Sequence, residues 1–350
     1  AKMPATRAMQ QLSLYALASV AVSSAAMAQD DATATFNTNV FSGVSTPALI
    51  TQNFSYLVLG ICAAIFVVVM TMGIITMIRF RKRPGDDDRE PPQIYGSNPL
   101  EMAWTVIPLI TVVVLTLVTV RAISEIQIDQ QPEGWMPVTA TGHQWWWEFH
   151  YPEYGITTAN ELHVPVSNAQ LRKPTFVTLE SEDVIHSFWI PRLAGKTDVI
   201  PNRQNHMWFN PLKTGLYVGQ CSEYCGTQHA NMLLRVYVHT PEEFQRWVEG
   251  QQRDAAEVAA VRKGRDIFLT TACINCHTVR GTVATGQFGP DLTHLMSRHT
   301  LGAGVAKINK ANLHSWVLDP EHLKPGARMP AMKVKGEPLD QIVDYLMSLK

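Results

Sequence analysis

The chain has 350 residues, 46% of them hydrophobic and 17% charged, with 29 Lys and Arg against 30 Asp and Glu. That content excludes a disordered chain, the length suggests two or three domains, and the near-zero net charge argues against a nucleic-acid binder that must neutralise many phosphates. Four of the five cysteines fall in two tight pairs, Cys221/Cys225 and Cys273/Cys276, a pattern for metal or cofactor chemistry and not for a disulfide scaffold.

Residues 1–28 carry Lys2 and Arg7, then an apolar run from Leu12 to Ala26 and a small-residue ending, Ala-Met-Ala. This reads as a secretory signal peptide cleaved after Ala28, its apolar core being too short for a comfortable bilayer span. Residues 29–123 form an N-terminal segment with two uncharged stretches, about 56–78 and 102–120, each long enough for a membrane helix. Pro108 in the second is tolerable but a source of kinking, and Cys62 in the first is a packing residue. Arg79, Arg81, Lys82, Arg83 and Arg89 crowd the loop between the spans, whereas 29–55 has no Lys or Arg. The loop is therefore expected in the cytoplasm, with both termini on the periplasmic side of a bacterial inner membrane.

The exported part begins near residue 124. Short runs rich in Val, Thr, Phe, Trp and Tyr at 137–141, 144–151, 174–180, 204–209 and 233–239 predict an all-β sandwich or barrel over 124–249, closed by a helix from about Pro241. A polar linker is expected at 250–257. Over 258–350 the pattern turns helical, with segments 258–269, 312–318 and 339–349. The first domain is acidic and the second basic, so mutual electrostatic docking is expected.

Two constellations carry chemistry. His186, in Val-Ile-His-Ser-Phe-Trp, is expected just after a strand and is followed, 35 residues on, by Cys221-Ser-Glu-Tyr-Cys225-Gly-Thr-Gln-His229-Ala-Asn-Met232. Thiolates, imidazoles and a thioether suit copper, whereas a hard cation would want carboxylates. Zinc would leave Met232 without a role, a Cys221–Cys225 disulfide would leave two histidines unexplained, and a single blue-copper ion needs only one cysteine. Two metals sharing bridging sulfurs account for the whole set. The second constellation, Cys273-Ile-Asn-Cys276-His277, is the attachment signature of a c-type haem, with two thioether bonds and a proximal imidazole. An electron-transferring haem needs a distal ligand as well, and Met296, Met329, Met332 and Met347 are the candidates.

These residues resemble subunit II of the haem-copper cytochrome c oxidases, with a fused cytochrome c domain. The resemblance rests on the two spans, the β domain and the motif His186 plus Cys221-Ser-Glu-Tyr-Cys225-Gly-x-x-His229-x-x-Met232. It implies a multidomain membrane protein: a two-helix transmembrane hairpin, a cupredoxin-like barrel and an all-α class I cytochrome c domain. It further implies a binuclear CuA centre, bridged by Cys221 and Cys225, with His186 and His229 terminal, Met232 weakly ligating one copper and the Glu223 carbonyl the other. In the segment Gly142-His143-Gln144-Trp145-Trp146-Trp147, Trp145 takes the place where electrons enter the copper centre. The Glu223 side chain matches a ligand of a Mg2+ ion shared with subunit I, and Glu101 the carboxylate that opens a proton path. Pro325-Gly-Ala-Arg-Met329-Pro330 resembles the distal-ligand loop of small cytochromes c, which selects Met329, with Met332 as the fallback. Gly289-Pro290-Asp291-Leu292 resembles the loop that packs Pro290 near His277.

The function so implied is that of the electron-accepting subunit of a proton-pumping terminal oxidase. Electrons would pass from cytochrome c or another donor through covalent haem c to CuA and on to subunit I, where oxygen is reduced to water. Subunit I, and subunit III beside it, are the expected partners. Other copper proteins fit less well. A nitrous oxide reductase pairs its CuA domain with a large propeller, a copper-delivery protein would not need Met232 or the aromatic segment, and quinol oxidase subunits II lack the copper ligands.

Overall fold

The structure is a computed structural model that describes residues 38–85, 90, 92–167 and 173–350. The expected signal peptide and Arg89 lie outside the described residues. Two long helices come first, α1 (Thr46–Arg79) and α2 (Asn98–Ile126). Each opens with a proline in its first turn, where the missing N–H is not needed. At 1.5 Å per residue α1 is about 51 Å long, more than the ~30 Å of a bilayer core, so its ends extend beyond the apolar stretch. α2 runs on through Pro108 without a break. Leu59, Phe66, Val69, Ile107 and Leu117 are exposed around both helices, an apolar surface that suits lipid or another membrane chain.

A β domain stands on the periphery of this pair. Asn210 accepts the Thr46 N–H at 2.8 Å through Oδ1 and donates through Nδ2 to Thr46 Oγ1 at 2.8 Å, while the Trp208 indole donates to the Ile126 carbonyl at 2.8 Å. The start of α1 and the end of α2 are thereby fixed to one edge of the β domain.

Ten strands build it: β1 (Met136–His143), β2 (Trp146–Tyr151), β3 (Ile156–Ala159), β4 (Glu161–Pro165), β5 (Thr175–Ser181), β6 (His186–Ile190), β7 (Ala194–Val199), β8 (Asn205–Phe209), β9 (Gly215–Cys221) and β10 (Leu233–His239). They form two five-stranded sheets, ordered β3-β2-β1-β5-β8 and β4-β10-β9-β6-β7. The β1–β5 and β10–β4 pairs are parallel and the others antiparallel. Alternation drives the packing: in β2 Trp147, Phe149 and Tyr151 are buried while His150 faces solvent. The inner faces enclose one apolar core that includes Cys221, Cys225 and Met232.

Two expectations need correction here. The strand expected at 144–151 begins at Trp146, because the last paired residues are His143 and Trp146, leaving Gln144 and Trp145 as the turn between β1 and β2. His186 does not follow a strand; it opens β6.

Helix α3 (Pro241–Gln251) starts as expected, with a reciprocal capping box between Thr240 and Glu243. Beyond it lie α4 (Arg262–Thr270), a two-stranded ribbon of β11 (Thr300–Leu301) and β12 (Ala306–Lys307), α5 (Lys310–Leu318), the single turn α6 (Pro320–Leu323) and α7 (Glu337–Leu346). α4 crosses α7 at Gly264, where an added Cβ would stand 1.9 Å from the Gln341 carbonyl oxygen, so only glycine lets the helices approach. Phe268 and Tyr345 pack at that crossing with ring centroids 5.5 Å apart. This domain has its own core, separate from that of the barrel.

Candidate redox centres

At one end of the barrel, β6, β9 and the loop before β10 bring five side chains together, His186 from 35 residues away and the other four from one short motif. The Cys221 and Cys225 sulfurs are 3.8 Å apart, too far for a disulfide, and both cysteines are free. His186 Nδ1 lies 3.9 Å from Cys221 Sγ, His229 Nδ1 3.7 Å from Cys225 Sγ, Met232 Sδ 3.8 Å from Cys225 Sγ, and the Glu223 carbonyl oxygen 3.2 Å from Cys221 Sγ. Each donor faces a sulfur, so the two thiols form the centre of the group and the others its ends. His186, Cys221, Cys225 and Met232 are buried, His229 is half-buried, and the Glu223 side chain is exposed.

Asp183, which the sequence reading did not single out, orients this group. Its Oδ1 meets His186 Nε2 at 2.8 Å, and its Oδ2 accepts the Gln144 N–H at 2.7 Å. A carboxylate on the far nitrogen of a ligating imidazole fixes the ring and raises its basicity. Burial works against the charged ring, but Asp183 and Cys221 outweigh it and His186 is shifted up. Between the thiols, the hydrogen bond from Cys225 holds Cys221 on the thiolate side, an arrangement ready for cations. An aspartate three residues before the histidine was the available signal.

The second centre is a cleft of ≈ 1370 Å3, larger than the roughly 300–1,000 Å3 of ordinary small-molecule sites. Cys273, Cys276, His277, Pro290, Met329 and Met332 line it, whereas Met296 and Met347 do not. His277 Nδ1 donates to the Pro290 carbonyl at 2.8 Å, which leaves the Nε2 lone pair available to a ligand. Gly289 is needed here, since a Cβ would stand 2.6 Å from His277 Cε1. The chemistry of the two donor sets fits copper in the barrel, and the cleft with its thiols and imidazole fits a covalent haem.

The aromatic segment joins the two. Trp145 and Trp146 line the haem cleft, while the Trp145 indole donates to the Cys225 carbonyl at 3.0 Å. Trp147 points the other way into the barrel core. Glu101 sits in the first turn of α2, where its carboxylate accepts the Ser97 N–H at 3.2 Å and so caps the helix.

A membrane hairpin, a cupredoxin-like barrel with a soft-ligand cluster and a helical domain with a haem signature define a membrane-bound electron-transfer protein. The family models agree segment by segment: the transmembrane domain of cytochrome c oxidase subunit II matches residues 34–122, its periplasmic domain 156–238, and cytochrome c 261–350. Cytochrome c oxidase subunit 2 of Alkalihalophilus pseudofirmus is 35% identical over 298 residues, covering 83% of this chain and 84% of that protein. The subunit 2 of Bacillus sp. strain PS3 is 33% identical over 290 residues, 77% of this chain and 80% of that protein. Among solved structures, the periplasmic domain of subunit II of cytochrome oxidase of Bradyrhizobium japonicum is 35% identical, with 35% of this chain and 97% of that chain covered and a TM-score of 0.33. The chain belongs to the cytochrome c oxidase subunit II family and carries a fused C-terminal cytochrome c domain. It is thus a subunit of an oxidoreductase complex that transfers electrons, with copper and haem c as the groups its domains imply and subunit I as the implied partner.

Proposed function

We propose that this subunit takes electrons from an external donor into a haem domain, passes them to a binuclear CuA centre, and delivers them to subunit I of a proton-pumping oxidase, where oxygen is reduced to water. One observation carries this reading: Trp145 lines the cleft that holds Cys273, Cys276 and His277 and is hydrogen-bonded to the backbone of Cys225 in the soft-ligand cluster.

In this reading Cys221, Cys225, His186, His229, Met232 and the Glu223 carbonyl would hold the copper. Cys273, Cys276, His277 and Met329 would hold the haem, and Trp145 would be the residue through which electrons reach the copper. When bound, both groups supply one-electron redox chemistry without proton transfer. The protein's part is to hold the donors in place: Asp183 orients His186, Pro290 orients His277, and the barrel core keeps water from the sulfurs.

Glu223, with its carboxylate exposed beside the cluster, is placed to share Mg2+ with subunit I. In this reading Glu101, in the first turn of α2, opens a proton path on the cytoplasmic side. The basic loop between the helices supports an orientation with both termini on the periplasmic side of a bacterial plasma membrane. Cytochrome c or another redox protein is the donor, and subunit III an additional neighbour. The division of labour follows 29–123 for the membrane part, 124–249 for the copper domain and 258–350 for the haem domain, with 250–257 between.

The test is metal analysis of the purified oxidase, with copper spectroscopy and a haem-type assay. Binuclear copper and one covalent haem assigned to this chain are expected. Zinc in the barrel, or a single copper, would overturn the relay.

A further inference from the structure

Lys324, directly after α6, is only 3% exposed. Its amine donates to three backbone carbonyls, Trp145 at 2.7 Å, Asn231 at 2.9 Å and Gly302 at 2.7 Å. These oxygens belong to three separate pieces of the molecule. Trp145 is in the β1–β2 turn, Asn231 is in the loop between His229 and Met232, and Gly302 is in the β11–β12 ribbon of the haem domain. Three acceptors at this range need three N–H donors, which only the charged amine has.

A buried ammonium with carbonyl partners alone is a costly thing to keep. Among the described residues no carboxylate pairs with it. Burial pushes it down to about 7. The residues that follow extend the same contact: the Pro325 carbonyl accepts from Gln228 at 2.7 Å, and the Arg328 side chain meets that of Gln144. One step further along the chain is Met329, in the haem cleft.

We propose that Lys324 is a positioning residue for electron transfer: one ammonium ties the Trp145 turn and the copper-ligand loop of the barrel to the haem domain, and so holds Trp145 in register between the two centres. This rests on the relay proposed above. The segment 324–329 then works as a strap, with its first residue on the copper loop and its last in the haem cleft.

The experiment compares Lys324→Met and Lys324→Arg in the intact oxidase. Copper and haem spectra are recorded first, then the rate at which reduced haem c passes its electron to copper, and amide hydrogen exchange at 226–232 and 300–307. Lys324→Met is expected to keep both spectra, to slow the transfer at least about tenfold, and to raise exchange in both segments, while Lys324→Arg recovers most of the rate. A Lys324→Met rate within about twofold of the native one overturns the proposal. So does loss of copper or a changed copper spectrum, which would make Lys324 a structural part of the copper site. A native oxidase with no haem-to-copper transfer would defeat the relay itself, a result distinct from either.

Discussion

The backbone N–H of Thr300 in the haem domain donates to Glu161 of the barrel at 3.0 Å. The same carboxylate accepts the Thr300 hydroxyl at 3.0 Å and the His299 N–H at 2.9 Å, and its second oxygen lies 3.3 Å from His299 Nδ1. Glu161 is fully buried, so the domains are joined here by directed hydrogen bonds to a carboxylate shielded from bulk solvent.

Glu161→Ala should therefore be among the most damaging substitutions at the junction. It strips the shared acceptor from several part-buried donors of His299 and Thr300, a class of change that destabilises by about 1–3 kcal/mol. Glu161→Gln keeps one acceptor oxygen and should lose less. Thermal unfolding of the haem domain in the intact chain, followed by its haem absorbance, measures both; equal midpoints for native and Ala variants would contradict the account.

Trp145→Phe removes the indole donor to Cys225 and leaves the ligand set alone. Metal content should be retained, and transfer from haem c to copper should slow by about tenfold, equivalent to ~1.4 kcal/mol of barrier. Rapid reduction of the haem followed at the copper band reads this out.

Met329 and Met332 both reach the haem cleft. Met329→Ala should convert the haem from low to high spin and open it to carbon monoxide, and Met332→Ala should do neither. The reverse result would move the distal role to Met332.

Gly289→Ala tests the proximal side. The new Cβ has to displace the His277 ring, which is also held by Pro290. A shifted haem potential or lowered covalent haem content is expected, with the copper spectrum unchanged.

Acid should loosen the barrel through His163. Its ring is buried, stacked on Trp247 at 4.5 Å, with Nδ1 2.8 Å from His239 Nε2. Burial, followed by the positive fields of His239, His299 and Arg298, shifts it well below the ordinary 6.5. The unfolded chain thus binds this proton more readily than the folded one. Stability contributed by neutral His163 is full above about 6.5 and falls as pH drops below it, at up to ~1.4 kcal/mol per pH unit. Unfolding midpoints between pH 7 and 5 check this, and His163→Gln should flatten the slope.

Much of the architecture was legible in order along the chain. The two spans are continuous apolar runs and fall inside α1 and α2, and the helix after Pro241 announces itself by its proline and capping residues. Half of the barrel was harder to see. β4 carries Glu161 and His163 in a strand buried throughout, and β7 contains Gly195, Lys196 and Asp198, so neither shows an apolar alternation. Trp145 was expected on a strand because aromatic residues favour pleated surfaces, but the β1–β2 pairing ends at His143 and Trp146.

The sequence by itself determined the kind of chemistry available. Two thiols, an imidazole and a thioether at short spacing, and a Cys-x-x-Cys-His, are statements about residue type and local distance, and those survive in one dimension. Only the tertiary structure decided how the parts meet. It brought His186 to Cys221 across 35 residues, put Asp183 behind it, left Met296 and Met347 out of the haem cleft, and set Lys324 and Glu161 at the junction of two domains. Charge complementarity led to the expectation that the domains dock. The contacts themselves are hydrogen bonds between residues up to 184 positions apart, and such pairings follow from packing, which leaves no period or motif in the chain to read.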